Sequence, residues 1–178
     1  TWYPDFKKFN LESLDDTHIN LFKKRVYDIS ACTDKSVTVY LNSNKLKEKS
    51  FDKYVNLYLD TDQTRVIQEH DGWNVIASYN NNEIFEQVSF VNGINTVNGG
   101  KHVDYIVDQI KDKLVEMIKK KKKLVVKPIY VKNQLSLFIN STIVNPVFDG
   151  QTKETLKTPK NKFEHYIDID SKFITKLY

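Results

Sequence analysis

Lys119, Lys120, Lys121, Lys122 and Lys123 stand in an unbroken row. Lysines at the end of a helix complement the negative pole of its macrodipole, which accounts for two or three of them. Five like charges in succession repel one another, and such a run reads as a phosphate-facing loop. His102 and Asp104 could do acid–base chemistry. Their place at the start of a helix favours a plainer reading: Asp104 complements the positive helix end, and His102 packs at a turn. Gly150 is followed by Gln151, Thr152 and Lys153, an amide, a hydroxyl and a flexible ammonium, which by residue type alone form an exposed loop. Cys32 is the single cysteine, so no internal disulfide is possible and a reducing compartment is favoured. One cysteine and four scattered histidines give no metal-ligand spacing, and His70, beside a turn, reads as a surface residue.

The elements that must position these groups centre on Gln87 to Ile118. Val88, Phe90 and Val91 suit a half-buried strand. Asn98, Gly99 and Gly100 suit a turn needing positive φ. Val103, Ile106, Val107, Ile110, Leu114, Met117 and Ile118 then recur at helical spacing, and the lysine row ends this helix. At 178 residues the chain is one domain by size. Its 40% apolar and 28% charged residues are ordinary for a globular protein, and its formal charge of +4 permits nucleic-acid contact without arguing for it. No apolar run approaches the ~20 residues of a membrane span, and no signal peptide opens the chain.

Read in order, Trp2 and Tyr3 look like the tail of a strand, and the chain like a fragment of something larger. Asp15 or Asp16 caps a helix with an apolar stripe of Ile19, Phe22, Val26 and Ile29, ending near Cys32. Val37, Val39 and Leu41 alternate as a strand with one buried face, with Lys45-Leu46 returning after a turn. Ser50 caps a short helix carrying Phe51, Tyr54, Val55 and Tyr58. Arg65–His70 and Trp73–Tyr79 form a hairpin about Asp71-Gly72. Pro128 leaves Leu124 to Asn133 ambiguous. Leu135 to Ile143 is a further strand, Tyr166 to Ile169 a last short one, and Ser171 caps a closing helix. The sum is an α/β (α+β) sandwich, a mixed sheet with helices on one face.

The strings Phe90-Val91-Asn92 and Gly99-Gly100-Lys101-His102-Val103-Asp104-Tyr105 closely resemble the strand–turn–helix of the transducer domain in eukaryotic type II DNA topoisomerases. Asn145-Pro146-Val147-Phe148-Asp149-Gly150-Gln151-Thr152-Lys153-Glu154 is similar to the same family's QTK loop, and Tyr54-Val55-Asn56-Leu57-Tyr58-Leu59 to another of its segments. The resemblance implies a ribosomal-protein-like fold with a left-handed βαβ crossover, where handedness statistics alone would favour the right-handed form. It divides the chain into 1–14, the exit from an ATPase domain, 15–170, the transducer, and 171–178, the start of an exit helix. It implies that Gly150, Gln151, Thr152 and Lys153 form an ATP-contacting loop. Gln151 and Lys153 would reach the γ-phosphate of ATP bound in the preceding domain, while Lys119 to Lys123 would lie towards DNA.

The same resemblance implies a nuclear, homodimeric enzyme using ATP and Mg2+, with no nucleotide bound by this chain alone. Its partners would be the ATPase domain and the DNA-cleavage core of the same polypeptide. Gly150 departs from the serine of many relatives and adds loop freedom. No ATP lid, no glutamate base with a magnesium-binding asparagine and no tyrosine cleavage domain is found, so the isolated chain is expected to be inactive. Two alternatives stand beside this reading: a freestanding nucleic-acid-binding module using the lysine row, and a relay domain from mismatch-repair ATPases of the same superfamily.

Overall fold

Asp15 caps the first helix, α1 (Asp16–Cys32), its carboxylate accepting the backbone N–H of His18 at 2.9 Å. The computed structural model describes residues 3–60 and 62–178. The strand tail expected at Trp2 falls outside these residues, and Phe6–Phe9 form a short 3-10 turn. After α1 come β1 (Tyr40–Leu41) and β2 (Asn44–Lys45), a small hairpin turning through Asn42 and Ser43 at positive φ. The longer strand expected around Val37 does not form, and Val37 is exposed. Asp34 instead folds the backbone into a turn, accepting from the N–H of Ser36 at 2.9 Å while its carbonyl accepts from Val37.

Ser50 caps α2 (Phe51–Val55), as expected. The hairpin of β3 (Arg65–His70) and β4 (Trp73–Tyr79) turns at Asp71-Gly72. β5 (Glu86–Val91) and β6 (Ile94–Asn95) follow, then α3 (Lys101–Lys122), α4 (Pro128–Asn133), β7 (Leu135–Ser141) and α5 (Ser171–Leu177). Pro128 thus opens a short helix, where its missing N–H costs nothing. The main sheet runs β3-β4-β7-β5-β6. Only β5 and β7 pair in parallel, joined by the crossover through α3 and α4, so the sheet is mixed.

Helices cover both faces of this sheet rather than one. Val75, Ala77, Leu137 and Ile139 point to a core with Ile106, Ile110 and Leu114 of α3 and Phe173 and Ile174 of α5. Ile76, Phe90 and Phe138 point the opposite way, against Ala31 of α1 and Phe51, Tyr54 and Val55 of α2. The physical reason is that β4 and β7 are apolar at successive positions, so each face needs cover. α1 does not bury its expected stripe: Ile19, Phe22 and Ile29 are exposed and Val26 half-buried. It buries Asp28 instead, whose carboxylate accepts Lys24 Nζ at 2.9 Å and the Tyr54 hydroxyl at 2.7 Å. Tyr166 to Ile169 pair with no strand. Ile167 and Ile169 reach the core while Gln109 satisfies their backbone, donating to Ile167 O at 3.1 Å and accepting from Ile169 N at 2.9 Å. Asp170, one residue before Ser171, caps α5.

Candidate functional site

The loop bearing Gln151 and Lys153 is closed at its stem by Asp149 and Thr155. Asp149 N donates to Thr155 O at 3.1 Å, and Thr155 N to the Asp149 carboxylate at 3.0 Å. Hydrogen bonding from the Thr155 side chain, then from its backbone, holds the Asp149 carboxyl below the usual carboxylate range. Phe148 and Leu156 bridge one step below. At the tip, Lys153 N donates to Gly150 O at 3.1 Å, a tight turn that sets Lys153 at φ 58°. Gly150, Gln151 and Thr152 are exposed, and no atom would lie within 4 Å of a Cβ at Gly150. Lys153 is half-buried, its ammonium 5.7 Å from the Phe148 ring centroid. The tip therefore presents one amide and one cation to solvent, donors suited to a phosphate oxygen.

The stem is fastened to the start of α3. Leu156 N donates to Gly99 O, and Lys101 N to Leu156 O, each at 3.0 Å. The second bond satisfies a helix N-terminal N–H for which Gly100 offers no side-chain cap. Gly100 has φ 128°, and a Cβ there would press on the Leu156 backbone, 2.5 Å from its nitrogen and closer still to its carbonyl oxygen. Asn98 N donates to Glu154 O at 3.0 Å, and the Asn98 amide to the Glu154 carboxylate at 3.1 Å. The two sequence motifs are thus one joint. Asn98 was legible only as a turn residue. Its pairing with Glu154, 56 positions away, leaves no local signal.

His102 lies directly below this joint and is fully buried. Thr96 Oγ1 donates to Ser89 O at 3.0 Å and so accepts from His102 Nε2 at 3.1 Å. Burial pushes the imidazole down to about 3. It is neutral and enclosed, which fits the packing reading over acid–base work. Asp104 is exposed, 3.7 Å from the Lys101 ammonium.

The lysine row is helix, not loop. Lys119 to Lys122 form the last turn of α3, and Lys123 closes it at φ 57° with its N–H on Lys119 O. The core face of α3 continues helical order to this point, and the macrodipole offsets part of the repulsion. Lys120 pairs with Glu116 at 2.6 Å, an interaction that lowers the Glu116 carboxyl. Lys121 sits 4.4 Å over the Tyr178 ring. Among the described residues, Lys119, Lys122 and Lys123 make no side-chain ion pair or ring contact. The structure gathers Gly150 to Lys153 at one end of α3 and the lysines at the other. The 22 residues of this helix span about 33 Å.

Among the described residues no group of three His, Cys, Asp or Glu side chains is placed to hold a metal ion, and no helix is long and apolar enough to cross a membrane. The sequence model of the family described as DNA gyrase B matches residues 34–177. DNA topoisomerase 2 of Arabidopsis thaliana is 41% identical over 187 aligned residues, covering 99% of this chain and 13% of that protein. DNA topoisomerase 2-alpha of Homo sapiens is 43% identical over 184, covering 98% and 12%. The chain therefore spans about an eighth of these relatives. The ATPase region of Saccharomyces cerevisiae topoisomerase II superposes with a TM-score of 0.89 at 38% identity, covering 98% of this chain and 45% of that one. The ATPase and transducer domains of topoisomerase II from Balamuthia mandrillaris give 0.89 at 37%, covering 98% and 44%. With its mixed sheet, its glycine-hinged α3 and a family match over most of its length, the chain belongs to the DNA gyrase B family of type II topoisomerase ATPase regions.

Proposed function

We propose that the chain is the transducer of a type II DNA topoisomerase, relaying nucleotide state in a preceding ATPase domain to DNA gating elsewhere in the polypeptide. The supporting observation is the joint between the Gly150–Lys153 loop and the N-terminus of α3, whose far end carries the lysine row. A force on the loop reaches the row through one helix packed along its length on the sheet. In this reading Lys153 supplies positive charge to the γ-phosphate oxygens of ATP held by the neighbouring domain, and Gln151 offers its amide to the same group. The donors of the loop suit a phosphate and not a metal, so Mg2+ is assigned to the ATPase domain. Residues 1–14 connect to that domain, 15–170 form the relay, and 171–178 lead outward. The enzyme is proposed to be nuclear and homodimeric. A freestanding nucleic-acid-binding module would need the lysine row but not the fastened loop, and the joint favours the relay.

The test is Lys153→Ala in the full-length enzyme. Loss of one preorganised donor to developing charge costs about 10²–10³ in rate. Lys153→Arg restores only part, because the planar guanidinium places its charge differently. DNA cleavage without ATP is expected to persist. Wild-type ATP turnover in the alanine variant would remove Lys153 from the reaction.

A further inference from the structure

Glu154 follows Lys153 directly, so its carboxylate is within reach of the ammonium that the tip must keep available. The structure keeps them apart. The Glu154 carboxylate is drawn across the joint to the Asn98 amide at 3.1 Å, and its carbonyl accepts from Asn98 N at 3.0 Å. Lys153, at left-handed φ, turns instead to the face of Phe148. We infer that Asn98 is a positioning residue for Lys153: it holds the Glu154 carboxylate on the α3 side of the joint, so that the neighbouring cation is not neutralised in place.

The inference rests on the reading of Lys153 as a phosphate contact. Asparagine suits the task because its amide donates to a carboxylate without adding a charge of its own. Nothing else restrains the tip sideways, since Gly150, Gln151 and Thr152 are exposed. A freed Glu154 would form an adjacent ion pair with Lys153 and compete with the nucleotide for it.

The experiment measures steady-state ATP turnover in the full-length enzyme. Asn98→Ala is expected to lower kcat about fivefold, the factor an exposed ion pair withdraws. Glu154→Gln alone is expected to stay near wild type, since the glutamine carbonyl still accepts from Asn98. In the Asn98→Ala/Glu154→Gln double variant no carboxylate is left to compete, and turnover is expected to return to within about twofold of wild type. A purely structural role for Asn98 would leave the double variant as slow as Asn98→Ala, and that result overturns the inference. So does wild-type turnover in Asn98→Ala when Lys153→Ala is impaired. Wild-type turnover in Lys153→Ala would instead remove the reading beneath it.

Discussion

At Gly100 two constraints coincide, and each alone would select glycine. Its φ of 128° is a conformation that side-chain-bearing residues rarely adopt, and a Cβ would meet the backbone of Leu156 rather than the movable end of a side chain. Gly100→Ala is therefore expected to cost about 2–4 kcal/mol, strain and overpacking together, read as a lower urea midpoint. An unchanged midpoint would mean that the loop stem shifts freely. His102 makes a pH-dependent contribution of known sign. Its folded pKa is about 3, against an unfolded value of ~6.5, so between these limits the unfolded chain binds a proton that the native chain does not. Stability falls as pH falls through that window, by about 1.4 kcal/mol for each unit. Denaturation between about pH 6.5 and 5 should show this slope, and His102→Gln should flatten it. An unaltered slope in the variant would show that His102 is not the group responsible.

Between residue and fold, the element that matters most is α3, and its two ends were unequally legible. The apolar spacing from Val103 to Ile118 foretold the helix, and the glycines its start. The lysine row was misread as loop because like-charge repulsion was weighed without the burial that holds the preceding turns in register. Only three of its five cations lack a local contact, so substitutions should be unequal. Replacing Lys119, Lys122 and Lys123 by glutamine should weaken duplex binding and flatten its salt dependence by up to about 2.7 log units per log unit of salt, ~0.9 for each phosphate released. Replacing Lys120 should do less, because Glu116 already offsets its charge. Equal effects at all positions, or none, would return the row to a solvated helix end. Hairpin β3–β4 was legible because its turn residues and strand pattern are local. The face of α1 was not, because a buried carboxylate satisfied by Lys24 and Tyr54 reverses the burial that hydropathy implies. Helices on both sheet faces were missed for a related reason: an unbroken apolar strand hides how many faces it serves.

At the scale of the whole molecule, the candidate site is half a site. The loop presents Gln151 and Lys153 on an exposed tip, with no surrounding wall to remove a nucleotide from water. Its motif was legible through resemblance, whereas its chemistry was not legible from residue types, because the phosphate it is proposed to meet belongs to another domain. Magnitudes decide what this chain can do by itself. A solvent-exposed ion pair contributes ~0–1 kcal/mol, and a hydrogen bond about 1 kcal/mol net. Their sum falls well short of the ~4.1 kcal/mol that even millimolar affinity demands. The 178-residue chain is therefore expected to show no ATP binding in calorimetry at millimolar nucleotide, and no turnover. The same two contacts matter in the full-length enzyme because a nucleotide already held beside the loop requires no new immobilisation, and the charge on its γ-phosphate oxygens grows towards the transition state. Lys153→Ala in that enzyme should accordingly lower kcat far more than it raises KM. Tight nucleotide binding by the isolated chain would show a complete pocket within it, and would overturn the reading of this domain as a relay.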